Sequence, residues 1–211
     1  MRRWYYGGSE GQHEVKPLAL PPELLRVAEI MRAHRAPWGV AGGWAIDLFV
    51  GASTRPHADV DVALMRDDQA ALHRILAGAR LEKVVGGARM PWPADERLEP
   101  PVHEVHAAWP DEMHVEFVLN DRDASTDEWI YRRDARIRMP LARAFHSEEA
   151  IPFLAPEIVL LFKSKAPKAK DDADLRMALP YLDDASARWL GDAIVTTGGA
   201  VHWAELVLRR E

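Results

Sequence analysis

None of the 211 residues is cysteine. That absence excludes disulfides, thiolate zinc sites, iron–sulfur clusters and cysteine nucleophiles together. Any metal held by this chain must use oxygen or imidazole ligands. Long hydrophobic runs are also missing. No stretch reaches the roughly 18 apolar residues that cross a bilayer, and Met1 to Gly8 carries no apolar segment of the signal-peptide kind. The expectation is a cytoplasmic protein with no membrane partner. Nor is there an excess of positive charge. The 27 Lys and Arg face 33 Asp and Glu, a net charge of -6, so the overall field does not recruit nucleic acid.

What is present is a composition of 48% hydrophobic and 28% charged residues, enough to bury a core and to exclude disorder over the bulk of the chain. The pattern divides into a leader segment over 1–20, a core over 21–148 and a helical C-terminal region over 149–211. Pro21-Pro22-Glu23 opens a helix expected over 22–35, with Leu24, Val27, Ala28 and Met31 at helical spacing. Trp38-Gly39-Val40 reads as a short strand, Gly42-Gly43 as a turn, and Trp44 to Val50 as a short helix stopped by Gly51. A further helix is expected from Asp67 or Asp68 to Ala77. Five prolines between Gly86 and Pro110 predict mostly loop, with one strand over Val102 to Ala107. Residues 121–150 carry two conflicting signals, a capping box at Ser125 to Glu128 and a strand-like alternation through Trp129, Tyr131, Ile137, Met139 and Leu141. Helices follow from Pro156 to Ser164 and over 171–179, 184–196 and 201–209.

The chemistry concentrates in two strands. Ala58 to Leu64 alternates, with Val60, Val62 and Leu64 on one face and Asp59 and Asp61 on the other. Carboxylates at i and i+2 lie about 7 Å apart along a strand, close enough to bracket divalent cations, and magnesium suits an all-oxygen set. Met113 to Leu119 also alternates and places Glu116 on its polar face. If the two strands pair, at about 4.8 Å, Glu116 completes a three-carboxylate site. Such a site is tolerable when cations neutralise it, and a cation held this way keeps positions free for substrate phosphates. Gly42-Gly43 before a helix supplies the complementary part, because glycine lets backbone N–H groups approach phosphate oxygens and the helix N-terminus favours negative charge.

The runs Gly42-Gly43-Trp44-Ala45-Ile46-Asp47 and Thr54-Arg55-Pro56-His57-Ala58-Asp59-Val60-Asp61-Val62 resemble the signature of the nucleotidyltransferase fold superfamily. Within it, they resemble the aminoglycoside- and lincosamide-modifying adenylyltransferase-like branch. The likeness continues through His114-Val115-Glu116-Phe117, Leu160 to Lys163 and Lys170-Asp171 with Asp174. It implies an α/β (α+β) fold: a nucleotidyltransferase-like core with a small mixed sheet flanked by helices, plus a mainly helical C-terminal part. It also implies ATP or another NTP bound with its phosphates at Gly42-Gly43, Mg2+ held by Asp59, Asp61 and Glu116, and transfer of AMP to a small-molecule hydroxyl with release of pyrophosphate. Glu116 then accepts the acceptor's proton or holds the second metal. Arg55, His57 and Lys163 are candidate phosphate contacts, whereas Lys165, about 200° around the same helix, faces elsewhere.

Plainer roles are expected for other residues. Asp47 reads as a structural partner of Arg55, Lys170 with Asp174 as a surface pair, and His103 to His106 as a surface or acceptor-cleft segment. Trp92 and Trp109 are candidates to line a sugar cleft. The acceptor is expected between core and helical region. Two other function classes stay open: a protein- or RNA-modifying nucleotidyltransferase of a toxin–antitoxin or phage-defence type, and a non-catalytic NTP-binding module.

Overall fold

The computed structural model of the chain describes residues 16–147 and 149–209, so the leader expected over 1–20 lies outside the described residues up to residue 15. The elements in chain order begin with β1 (Lys16–Pro17), α1 (Pro22–Met31), β2 (Trp38–Val40), α2 (Gly42–Val50), β3 (Ala52–Ser53) and β4 (Asp61–Met65). Next come α3 (Ala71–Ile75), β5 (Arg80–Val85), β6 (Ala88–Pro91), β7 (Glu104–Ala108), β8 (His114–Asp123), β9 (Glu128–Ile130) and β10 (Arg138–Pro140). The chain continues through α4 (Leu141–Ala144), β11 (Phe145–His146), β12 (Phe153–Leu154), α5 (Pro156–Lys163), α6 (Ala169–Ala178), α7 (Asp184–Thr197) and α8 (Val201–Leu208).

Ten strands form one mixed sheet in the order β11-β12-β2-β4-β8-β7-β5-β6, with β9 on β8 and β10 on β9. The pairs β4–β8 and β12–β2 are parallel, and their neighbours antiparallel. β4 is the centre. Its expected alternation holds only at its start, because Val62, Ala63, Leu64 and Met65 are all 0% exposed. A strand covered on both faces reads as a continuous apolar run. β12, from the C-terminal region, extends the same sheet, and α2 packs on α5 and α6. Among the described residues no helix is long and apolar enough to cross a membrane.

Several boundaries differ from expectation for identifiable reasons. α1 ends at Met31 because the following amides turn back three residues, as His34 does to the Met31 carbonyl at 2.9 Å, ahead of Pro37. The helix expected over 67–77 shrinks to α3 because its first turn binds the proline-rich loop instead. Arg66 Nη1 donates to the Val102 carbonyl at 2.6 Å, and the Leu98 amide donates to Gln69 Oε1 at 2.7 Å. The loop expected after Gly86 contains half of a hairpin, β5–β6, turning at Gly86 and Gly87 with φ of 58° and 83°. Two successive positive φ values are what a tight hairpin turn demands. In 121–150 the alternating signal is the one that folds. β8 runs on to Asp123 and pairs with β9, and Trp129 is buried with its indole N–H on Asn120 Oδ1 at 2.9 Å. The capping-box residues form the connecting turn, with Asp127 at φ 53°.

Gly39 shows how tightly the sheet closes on β12. A Cβ there would stand 2.7 Å from the Phe153 carbonyl carbon and 2.9 Å from the Leu154 amide nitrogen, and backbone cannot step aside as a side chain can. Gly39→Ala is expected to destabilise the protein by about 1–3 kcal/mol, the range for overpacking, read as a lower urea midpoint with unchanged slope.

Candidate functional site

The turn from β2 into α2 is tied to the acidic strand by its backbone, with the Ala41 amide donating to the Asp61 carbonyl at 2.7 Å. Gly42 has φ 60°, and a Cβ on it would run into the Asp61 carboxylate. A Cβ on Gly43 would meet the His57 ring and the Arg55 guanidinium. Both glycines are therefore required by proximity to the very residues read as functional. Across the sheet, Asp61 is the register partner of Glu116 in the parallel β4–β8 pair, and the Glu116 amide donates to the Val60 carbonyl at 3.0 Å. The two carboxyl groups stand side by side. Burial first, then the neighbouring Asp59 and Glu116 charges, raise the Asp61 carboxyl to about 7. Asp59 precedes β4, is exposed and lies at the rim of the adjoining cleft.

Beneath the turn lies a charged scaffold with partners other than those expected. Asp47, 0% exposed, accepts from the Thr54 hydroxyl at 2.5 Å and pairs with His57 Nε2 at 2.9 Å, so its partner is His57 and not Arg55. His57 also packs on Trp44, with ring centroids 4.5 Å apart. Arg55 instead forks onto Asp174, with Nε and Nη2 donating at 2.8 and 2.9 Å, and this bidentate bond raises its pKa. Asp174 is 0% exposed and also takes Lys163 Nζ at 3.0 Å, which overturns the expected Lys170–Asp174 surface pair. Lys163 donates as well to Asp171 at 2.7 Å. Asp174 thereby fastens α6 to Arg55 behind the turn, both carboxylates fasten it to Lys163 at the end of α5, and Lys165, in the turn beyond α5, is exposed.

Two concavities adjoin these groups. One, of about 240 Å³, is lined by Gly42, Asp61, Phe162 and Lys163 together with Arg132 and Arg133. Sequence reasoning missed the two arginines; the adjacent pair in the ambiguous stretch 121–150 was the available signal. Their guanidinium carbons lie 4.3 and 5.4 Å from the Phe162 ring centroid. Burial, followed by the Arg133 charge, lowers Arg132 to about 10. The other concavity, of about 610 Å³, is lined by residues 21–114, including Glu23, Arg26, Trp44, Asp59, Asp111 and His114. It is not the cleft expected between core and helical region. Trp92 is core, 4% exposed, with its indole N–H on the Glu96 carbonyl at 2.9 Å, so it lines no sugar cleft.

Among the described residues, the His, Asp and Glu side chains that come within 4.8 Å of one another as a trio are Glu104, His106 and Glu116. His106 is only 2% exposed, which overturns a surface role for that residue. The register accounts for it. His106 stands opposite Glu116 in the antiparallel β7–β8 pair, so the polar row runs Asp61, Glu116, His106 across three strands.

The scaffold and the raised carboxyl each predict a measurable effect. Asp174→Ala leaves Arg55 without its buried partner and is expected to cost about 3 kcal/mol or more in urea unfolding, whereas an exposed ion pair would cost under about 1. The Asp61 carboxyl holds its proton in the native state between about 3.8 and 7, where the unfolded chain has lost it. The native state therefore binds more protons over that window, and stability falls as pH rises through it. At about 1.4 kcal/mol per unit, the metal-free protein loses a few kcal/mol between pH 4 and pH 8, and Asp61→Asn flattens the profile.

A family model described as aminoglycoside-2''-adenylyltransferase matches residues 23–174. No match is found among curated proteins. Among solved structures, the chain is similar to ANT(2'')-Ia in complex with adenylyl-2''-tobramycin, at 14% identity and a TM-score of 0.56, covering 83% of this chain and 99% of that one. It is also similar to the lincosamide antibiotic adenylyltransferase LnuA bound to lincomycin, at 15% identity and a TM-score of 0.53, covering 76% and 96%. The solution structure of ANT(2'')-Ia aligns at 18% identity and a TM-score of 0.52, over 87% and 91%. These likenesses establish a shared fold, and the family match spans most of the chain, including the glycine turn, the acidic strands and Asp174. The chain belongs to the aminoglycoside-2''-adenylyltransferase family, a family of nucleotidyltransferase enzymes.

Proposed function

We propose that this enzyme transfers AMP from ATP to a hydroxyl of a cationic, aminoglycoside-like small molecule and releases pyrophosphate, acting in the cytoplasm. One observation carries this reading: the Asp61 carboxyl group, beside its register partner Glu116, stands against Gly42 at the wall of a concavity that Lys163, Arg132 and Arg133 also line. Paired carboxylates facing a cluster of cations across a gap suit a metal-bound triphosphate. The raised Asp61 carboxyl indicates a charge in need of a cation, so the donor set fits a hard divalent ion, which we assign as Mg2+ with Asp59, Asp61 and Glu116 as its ligands. Such an ion, when bound, neutralises phosphate charge and favours departure of pyrophosphate.

The protein's own groups supply the rest. The backbone at Gly42 and Gly43, at the head of α2, receives the phosphates, with no Cβ in the way. Lys163 meets them as a point charge, while Arg132 and Arg133 offer planar forks. Arg55 and His57 back the turn, each held by a buried aspartate. Glu116 takes the proton of the attacking hydroxyl. Glu23, Asp59 and Glu112 give the 610 Å³ cleft an acidic rim that favours a polycationic acceptor, Asp111 being paired with Arg26, and Trp44 offers it a ring face. The nucleotide side thus draws on both the core over 21–148 and the helical region over 149–211, which contributes Lys163.

Pyrophosphate release from labelled ATP and magnesium, with aminoglycosides, lincosamides, RNA and the protein itself as acceptors, tests the assignment. Turnover is expected with an aminoglycoside, and Asp59→Asn and Asp61→Asn are expected to lower kcat about a hundredfold or more, several kcal/mol of transition-state stabilisation. Label appearing on RNA or protein instead, or turnover that survives Asp61→Asn, contradicts it. Arg132→Ala and Arg133→Ala are expected to raise KM for ATP by about tenfold each, one charge-assisted contact apiece, with a smaller effect on acceptor KM.

A further inference from the structure

The polar row on the sheet does not end at the carboxylates. His106 Nε2 lies 2.6 Å from Glu104 Oε1. An ionised carboxylate only accepts, so Nε2 carries a hydrogen and Nδ1 is the ring atom turned toward β8. That Nδ1 is buried, has no hydrogen-bond partner, and faces Glu116 Oε1 at 3.6 Å. Between that nitrogen and the carboxylate something positive has to lie, a proton or a metal ion, and the geometry favours the ion. The arrangement in which a carboxylate fixes the far nitrogen of an imidazole, leaving the near nitrogen bare, is how proteins present histidine to metals.

The spacing agrees with this. Ligand atoms about 2.1 Å from a common ion stand about 3.0 Å apart at the octahedral angle of about 90° and about 3.6 Å apart at about 120°, so the 3.6 Å between Nδ1 and Oε1 lies at the open end of the coordinating range. The burial agrees as well, because a 2% exposed ring with an unsatisfied nitrogen is costly unless that nitrogen is used. We propose that His106 Nδ1 and the Glu116 carboxylate form a nitrogen–oxygen metal position, oriented by Glu104, so that this centre takes a nitrogen-accepting divalent ion such as Mn2+ beside its all-oxygen position at Asp59 and Asp61. The inference rests on the reading of Glu116 as part of the active centre and deepens it. Magnesium prefers oxygen, whereas imidazole suits first-row transition ions, so occupancy of the Glu116–His106 position separates the two metals.

Pulsed EPR of the full-length protein loaded with Mn2+ alone tests the assignment, since it detects nitrogen bonded to the ion. Directly coordinated nitrogen is expected in the unaltered protein, and the coupling is expected to shift to the 15N pattern when histidine is 15N-labelled. His106→Gln should abolish it. His114→Gln, whose ring centroid lies 6.2 Å from that of His106, should leave it intact. Glu104→Gln should keep the nitrogen signal while weakening Mn2+ affinity about 10–100-fold. Bound Mn2+ without nitrogen coupling in the unaltered protein overturns the proposal, as does coupling that persists in His106→Gln. If coupling is absent while ATP-dependent turnover is intact, the proposed function stands and the His106 position falls. If coupling is present and no acceptor is ever modified, the metal position stands and the proposed function falls.

Discussion

Two carboxyl groups forced side by side by a parallel strand pair are the constraint around which this molecule is arranged. Asp61 and Glu116 are register partners on β4 and β8, and the backbone ladder leaves them no means of separating. Burial, followed by the Asp59 and Glu116 charges, is why the Asp61 carboxyl rises to about 7. A sheet does not carry such a half-buried pair at the mouth of a cleft without a use for it. The surroundings indicate the use: Gly42 removes the side chain that would collide with Asp61, and Lys163, Arg132 and Arg133 stand across the gap.

The rest of the structure keeps these charges apart from one another's neutralising reach. Asp174 and Asp47 are fully buried and occupy Arg55 and His57, so the groups directly behind the glycine turn are already paired and do not collapse onto Asp61. Lys163 is steadied by Asp171 and Asp174, which aims it without consuming all three of its donors. These pairs join α6 to α5 and to Arg55, and α6 also packs on α2, so the helical C-terminal region becomes a wall of the site. Removing one buried partner in such a network costs more than the pair contributes, because an uncompensated charge remains.

Much of this is legible in the sequence, and the reasons differ from residue to residue. The glycine turn and the Asp-x-Asp segment are readable because paired glycines ahead of a helix and acids two positions apart both serve the same task, holding a charged phosphate chain and its cation, although β4 begins only at Asp61 and leaves Asp59 ahead of the strand. The sequence offers the pairing of Glu116 beside Asp61 only as a condition, which the β4–β8 register meets. Partner choice within the scaffold is not legible, since Arg55 and Asp174 are 119 positions apart and only the packing of α6 on α2 decides who meets whom. His106 is hidden for a related reason: it falls in the strand expected over Val102 to Ala107, but its burial arises from β5 and β8 on either side of β7, which that segment alone does not reveal. Arg132 and Arg133 are obscured by competing periodicities in 121–150, a conflict that Trp129 resolves by packing into the core.

The concavity lined by Gly42, Asp61, Lys163, Arg132 and Arg133, with Glu116 beside Asp61, is proposed to hold a cation-bound triphosphate. A crystal structure of the protein with Mn2+ and α,β-methylene ATP, phased to locate manganese by its anomalous signal, tests this most directly. Manganese against both carboxylates, with the phosphates over Gly42-Gly43 and within reach of Lys163, is the predicted result. A nucleotide bound elsewhere, or carboxylates that stay free of metal at saturating nucleotide, would contradict it.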